Sequence, residues 1–289
     1  NAGTMTINSD SNASTAVSLP GAISAKSILI TGTSTTASTI VSLGAMTIVA
    51  GGSDLSVTAN NSSGGSNTGI TQTGAIANNA SGGSISFTSN NTISQNGAIT
   101  LAANTTAISS ITYDTTSGNR LSDISAAAIS TTSGSTFAAN YSVTTAGAAI
   151  SVAAISVPGS VTLDNTYGSA SGAKASGYFN GTNNTTTNVT TSVGVTIGAA
   201  ITAGSSISVK GVSASSWGIQ NSYTLTSSNG SIALVGVGIH GMYQLGALLA
   251  TSGSIDISSV STSSSWGYYA QNGSQTNYVA LNDITLASY

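Results

Sequence analysis

The chain has 289 residues, of which only 4% are charged, where an ordinary soluble domain carries about a quarter. Four basic residues (Lys26, Lys174, Lys210, Arg120), seven Asp, no Glu, one His and no Cys leave little inventory for acid-base or metal chemistry and exclude a disulfide framework. A formal charge of −3 with so few cations excludes nucleic acid as a partner, because phosphates are held by several Lys or Arg, and the same shortage excludes an anionic membrane surface.

A hydrophobic content of 39% separates the chain from disordered tracts, which combine low hydrophobicity with high net charge. No membrane span is expected: the best apolar run, Ala233 to Ala250, is marginally long and is interrupted by glycines, His240 and Gln244. The chain opens without a Met, a basic segment or an apolar segment, so it reads as a mature or internal piece of something longer.

One short unit recurs from end to end: Gly or a small residue, then Ser or Ala, then apolar, any, apolar. In chain order it appears as Thr4–Ile7, Ser27–Ile30, Gly44–Ile48, Asp54–Val57, Gly83–Phe87, Gly97–Leu101 and Ala149–Val152. It continues as Gly159–Leu163, Gly194–Ile197, Ser205–Val209, Gly230–Leu234, Gly253–Ile257 and Asn282–Leu286. Apolar residues two apart have the period of a half-buried strand. Ser, Thr, Asn and Gly between the units are turn formers, and Pro20 and Pro158 each stand shortly before a unit.

The spacing of the units predicts a solenoid. Met5 to Ile28 is 23 residues, Ile28 to Met46 is 18, Ile207 to Ile232 is 25, Ile232 to Ile255 is 23 and Ile255 to Ile284 is 29. Each step suits one coil, whereas a sandwich shows turns roughly every 8 to 12 residues. The segment Ile207–Gly218 also aligns with Ile255–Gly267 at an offset of 48 residues at the Ile and 49 at the Trp, which equals two coils. The predicted fold is therefore all-β: one right-handed parallel β-helix over residues 1–289, in coils of about 18 to 30 residues. About 12 coils at roughly 4.8 Å give a rod near 60 Å long. Both ends stop in mid-pattern without a polar cap, so continuation into a longer rod or end-to-end contact between copies is expected, and the isolated segment is expected to self-associate.

The Gly-Ser-Ile-x-Val/Leu units, with their Asn/Ser/Thr-rich connections and coils of some twenty residues, resemble the filamentous haemagglutinin-like adhesins that bacteria secrete by the two-partner route. The resemblance covers most of the chain and is weakest between about Asp114 and Phe137. It implies an extracellular or cell-surface rod used for adhesion or fibre building, with partners that are other copies of itself or the glycans or proteins of a host or neighbouring cell. The family's secretion domain carries an Asn-Pro-Asn-Gly type motif, and neither Pro here has those neighbours, so this chain reads as shaft.

Candidate sites are few, and none calls for a cofactor. His240, the only imidazole, lies between Gly238 and Gly241 and suits a turn or packing role better than a Ser-His-Asp arrangement. Gly51–Leu55 only grazes the calcium-binding nonapeptide, and no metal-ligand spacing occurs. Asp114 and Asp123 with Arg120 between them are the densest charged cluster, and they carry the alternative reading of a carbohydrate-active β-helix. An ice- or surface-binding solenoid is a further alternative, ranked last because Thr-x-Thr does not occur at one fixed place per coil.

Aromatic residues are unevenly placed, with both Trp and most Tyr after Tyr167. Trp217, Tyr243 and Trp266 are expected near one edge in successive coils, joined by Tyr268 and Tyr269. They form either internal stacking that fills the core or an outward strip for carbohydrate or protein contact. The leading expectation is a non-enzymatic structural or adhesive protein of the cell exterior.

Overall fold

A computed structural model describes residues 3–11, 14–36, 39–61, 68–79, 83–101, 108–115, 124–131, 140–145, 148–165, 190, 192–263, 265–270 and 278–288. Among them every regular element is a β-strand and every strand pairing is parallel. Each coil supplies one strand to each of three sheets, and each strand pairs with the strand three places later in the chain, giving sheets of 11, 10 and 10 strands. The result is a parallel β-solenoid. A chain that climbs by one coil per circuit passes each face in the same direction every time, which is why the pairing is parallel.

Alternation sets the inside and outside of each strand. In the first sheet, strand Leu55–Asn61 reads buried at Leu55, Val57 and Ala59 and half-buried or exposed at Ser56, Thr58 and Asn60. The inward residues fall into files that run along the axis. Ile28, Leu55, Ile85, Ile111, Tyr141, Val161, Ile207, Ile232 and Ile255 form one, each fully buried and each facing its register partner in the next coil. Val17, Val41, Ile70, Ile93, Ile124, Ile150, Val195, Ile219 and Met242 form the matching file of the second sheet. Burying one such side chain contributes about 1.5–3 kcal/mol, so cohesion is spread evenly along the axis and needs no charge.

The coil lengths correct the sequence reading at three points. Met46 is not the next step after Ile28: Ile28 pairs with Leu55, and Met46 belongs to the third sheet beside Ile23. The 18-residue interval therefore lies within a coil. Val161 pairs with Ile207, a single coil of 46 residues, well beyond the expected 30. Eleven strands in the first sheet leave ten coil-to-coil steps in place of about 12 coils, and the stack is about 48 Å long. The apolar run Ala233 to Ala250 falls across strands Ile232–Gly238, His240–Gln244 and Leu248–Ala250. No described helix is long and apolar enough to cross a membrane.

Buried amides hold the corner between the second and third sheets. Gln72, Gln95, Asn221 and Gln244 end their strands facing inward and are essentially inaccessible to solvent. Each donates its side-chain N–H to the carbonyl two residues on, at Gly74, Gly97, Tyr223 and Gly246. They also bond across coils: Gln95 Nε2 donates to Gln72 Oε1 at 3.1 Å, and Asn221 Nδ2 to Gln244 Oε1 at 3.2 Å. A buried amide so satisfied avoids the cost of an unpaired polar group and fixes the turn in place. Gly246 is required there, because a Cβ would overlap the Tyr223 carbonyl of the coil before. Beside this corner, Phe87 stacks on Tyr113 inside the first sheet with ring centroids 5.1 Å apart, and Tyr141 meets Tyr113 at a tilt of 59° and 5.8 Å.

Candidate functional site

The outward files carry hydroxyls through most of the solenoid. In the first sheet Ser56, Ser86, Thr112, Ser142, Thr162 and Ser208 follow one another in register over six coils. Hydroxyls in this file reach one another, as Ser86 Oγ does in donating to Ser56 Oγ at 3.2 Å. In the second sheet the outward file runs Ser18, Ser42, Thr71, Ser94, Ser125, Ser151 and Thr196, then Gln220, Tyr243 and Tyr269. A second file beside it begins Thr15, Thr39, Thr68 and Thr92. Hydroxyls thus recur at fixed places in the coils although Thr-x-Thr does not, because the paired files stand three residues apart, as at Thr15 and Ser18 or Thr39 and Ser42.

The aromatic residues gather on the outer face of the second sheet. Trp217, His240, Tyr243 and Tyr269 are all half-buried, and Trp266 is 60% exposed. Tyr243 and Tyr269 stack with centroids 5.4 Å apart and planes 11° from parallel, and Trp266 stacks on Tyr269 at 5.0 Å and 26°. Trp217 meets Tyr243 edge-on at 5.4 Å and lies 4.7 Å from the His240 ring. His240 Nδ1 is hydrogen-bonded to the Ser265 hydroxyl.

Two details differ from the sequence expectation. Trp217 is in register with His240 and not with Tyr243, whose partners are Gln220 and Tyr269. His240 follows Val237 by three positions where Trp217 follows Val212 by five, so the corner lengths shift the register. Tyr268 parts company with the other four. It pairs with the inward-facing Met242, packs against the core, and shares a hydrogen bond with the Tyr278 hydroxyl. Burial raises the pKa of its phenol well above the ordinary range.

The other candidates sit apart. Asp114 lies in an outward file of the first sheet between Thr88 and Thr144; Arg120 and Asp123 lie outside the described residues. Among the described residues no group of three His, Asp or Glu is placed to hold a metal ion. Asp54, in the near-calcium motif, instead accepts hydrogen bonds from the Ser84 backbone N–H at 2.9 Å and the Ser84 hydroxyl at 3.0 Å. These hold its carboxyl below the usual 3.8, against the opposing effect of partial burial. An open groove near the corner of the second and third sheets is lined by Ala126, Ala127, Ala128 and Ala153 with Ser125 and Ser151, and among the described residues no ionisable group lines it.

Hydroxyls along the outer files and one aromatic cluster mark the outer faces of the coils, and the last described strands also expose Val279, Leu281, Ile284 and Leu286. Comparison with protein-family models, with curated proteins and with solved structures finds no match for this chain.

Proposed function

We propose that the chain is a non-enzymatic structural and adhesive shaft of the bacterial cell exterior, of the filamentous haemagglutinin-like kind. The observation that carries this reading is the unbroken register of the core files, across ten coil-to-coil steps in the first sheet and nine in each of the others, combined with long outer files of uncharged hydroxyls. Such a body holds its shape by stacking alone and approaches other surfaces with little electrostatic repulsion. Its partners are further copies of itself and the glycans or proteins of an opposing cell. The test is antibody labelling of intact, unpermeabilised cells of the producing organism, with adherence measured before and after deletion of the gene. Surface labelling and lost adherence support the reading; labelling only after permeabilisation sinks it.

A second reading is binding to an ordered, repeating surface such as ice, and the paired files Thr15, Thr39, Thr68, Thr92 and Ser18, Ser42, Thr71, Ser94 favour it. Hydroxyls are nevertheless found on all three sheets, including Thr47, Thr202 and Thr226 on the third, so no single face is set apart for the task. Thermal hysteresis in the presence of the protein would move the balance to this reading.

A further inference from the structure

We infer that Trp217, Tyr243, Trp266 and Tyr269 form a binding platform for a neutral glycan chain laid along the solenoid axis. The core does not require these rings. On the same strands the inward places are already filled by Ile219 and Met242, and in seven earlier coils the outward place held by Tyr243 and Tyr269 is occupied by Ser or Thr. The rings are therefore surplus to coil packing, and burial alone does not account for their being gathered on the outside.

Their geometry suits a ligand with apolar faces and polar edges. Tyr243, Tyr269 and Trp266 are held in a near-parallel stack, with Trp217 edge-on beside them. Rings fixed by one another lose little rotamer freedom when a ligand arrives, so the contact is prepared in advance. Trp266, 60% exposed, offers open ring surface on which the C–H face of a sugar can rest. The outward file continues from Tyr243 into the Gln220 amide and the Thr196 and Ser151 hydroxyls, one group per coil at about 4.8 Å, and these are donors and acceptors for sugar hydroxyls.

Charge selects among glycans. None of the ten residues in this outward file is charged, and the Lys210–Asp164 ion pair and Asp256 belong to the first sheet. Among the described residues an acidic polysaccharide finds no Lys or Arg on this face, whereas a neutral one needs none. A protein partner is disfavoured by size, since a stable interface buries about 800 Å² per side around an apolar centre, and this cluster gives way to amide and hydroxyl within one or two coils.

The inference deepens the adhesive reading and rests on it for its biological setting, yet it is tested independently of it. Trp217 and Trp266 are the only two Trp in the chain, so intrinsic tryptophan emission reports on the platform alone. The purified full chain is titrated with cellohexaose, chitohexaose and mannohexaose, and with hexagalacturonate as the acidic comparison. At least one neutral hexasaccharide is expected to shift the emission saturably while hexagalacturonate does not. Tyr269→Ala, and independently Trp266→Ala at an exposed position, are expected to weaken that binding at least tenfold with circular dichroism and melting temperature unchanged. No response to any neutral sugar by protein of normal melting temperature overturns the inference, as does unweakened binding in both variants or a preference for the acidic sugar. Loss of adherence on gene deletion without glycan binding leaves the adhesive shaft standing and removes only the platform.

Discussion

Ile232 lies in the later part of a core file, fully buried between Ile207 and Ile255 of the neighbouring coils. Ile232→Ala removes three carbons from a site that two coils share, and the cost is about 2–5 kcal/mol, the transfer loss plus the cavity left behind. Ile232→Asp costs more, because its carboxylate meets two Ile in register, and the nearby Lys210 projects from the opposite face of the sheet. Ser208→Asp is the control. Ser208 points outward between Thr162 and Ala233, so its replacement is expected to change stability by no more than about 0.5 kcal/mol. Urea unfolding followed by tryptophan emission suits the measurement, since Trp217 and Trp266 lie within about one coil of Ile232 on either side. Stability in a solenoid passes from coil to coil, so the midpoint for these coils is the quantity to compare. Equal damage from Ile232→Asp and Ser208→Asp would refute the assignment of inside and outside. An Ile232→Ala midpoint matching wild type would refute close packing of the file.

Gly246→Ala is expected to lower stability by about 1–3 kcal/mol by forcing the Tyr223 turn away, whereas Gly21→Ala, with open space around it, stays within about 0.5 kcal/mol; paired melts decide this. Gln95→Ala deprives the Tyr113 hydroxyl and the Ala127 N–H of their acceptor, each at a cost of about 1–3 kcal/mol, and amide exchange at Ala127 should speed up markedly. Asp54 has a folded pKa below 3.8, so its contribution is complete above that value and is lost as pH falls through the folded value. Below pH 3.8 the wild type should therefore lose stability faster than Asp54→Asn, and parallel acid-dependence curves for the two would contradict the Ser84 contacts. The far-ultraviolet circular dichroism of the whole chain should show strand and almost no helix; a strong helical signal would contradict the fold.

Period-two alternation is a local property that determined the strands, and the recurrence of its units at about one coil apart determined the parallel stacking and the solenoid. The partners Ile207, Ile232, Ile255 and Ile284 could be read directly from the chain because each opens a clear apolar-x-apolar unit, at steps of 23 to 29 residues. What the sequence could not determine is which sheet a unit joins. Gly83–Phe87 and Gly97–Leu101 carry the same pattern but stand on the first and third sheets, and the uneven coils, one of 46 residues, made a uniform coil length overcount them. The buried amides were legible in principle, as Gln-x-Gly at Gln72, Gln95 and Gln244, but a polar side chain facing inward is tolerable only once stacked turns supply its partners. The aromatic site shows the same division most sharply. Composition located its rings in the later coils, yet only the folded register put Trp217 against His240, Tyr269 outside on Tyr243 and its neighbour Tyr268 inside on Met242. The reason is that a change of one residue in the length of a corner turns a side chain from one face of the sheet to the other, and corner lengths are settled by how successive coils close upon each other.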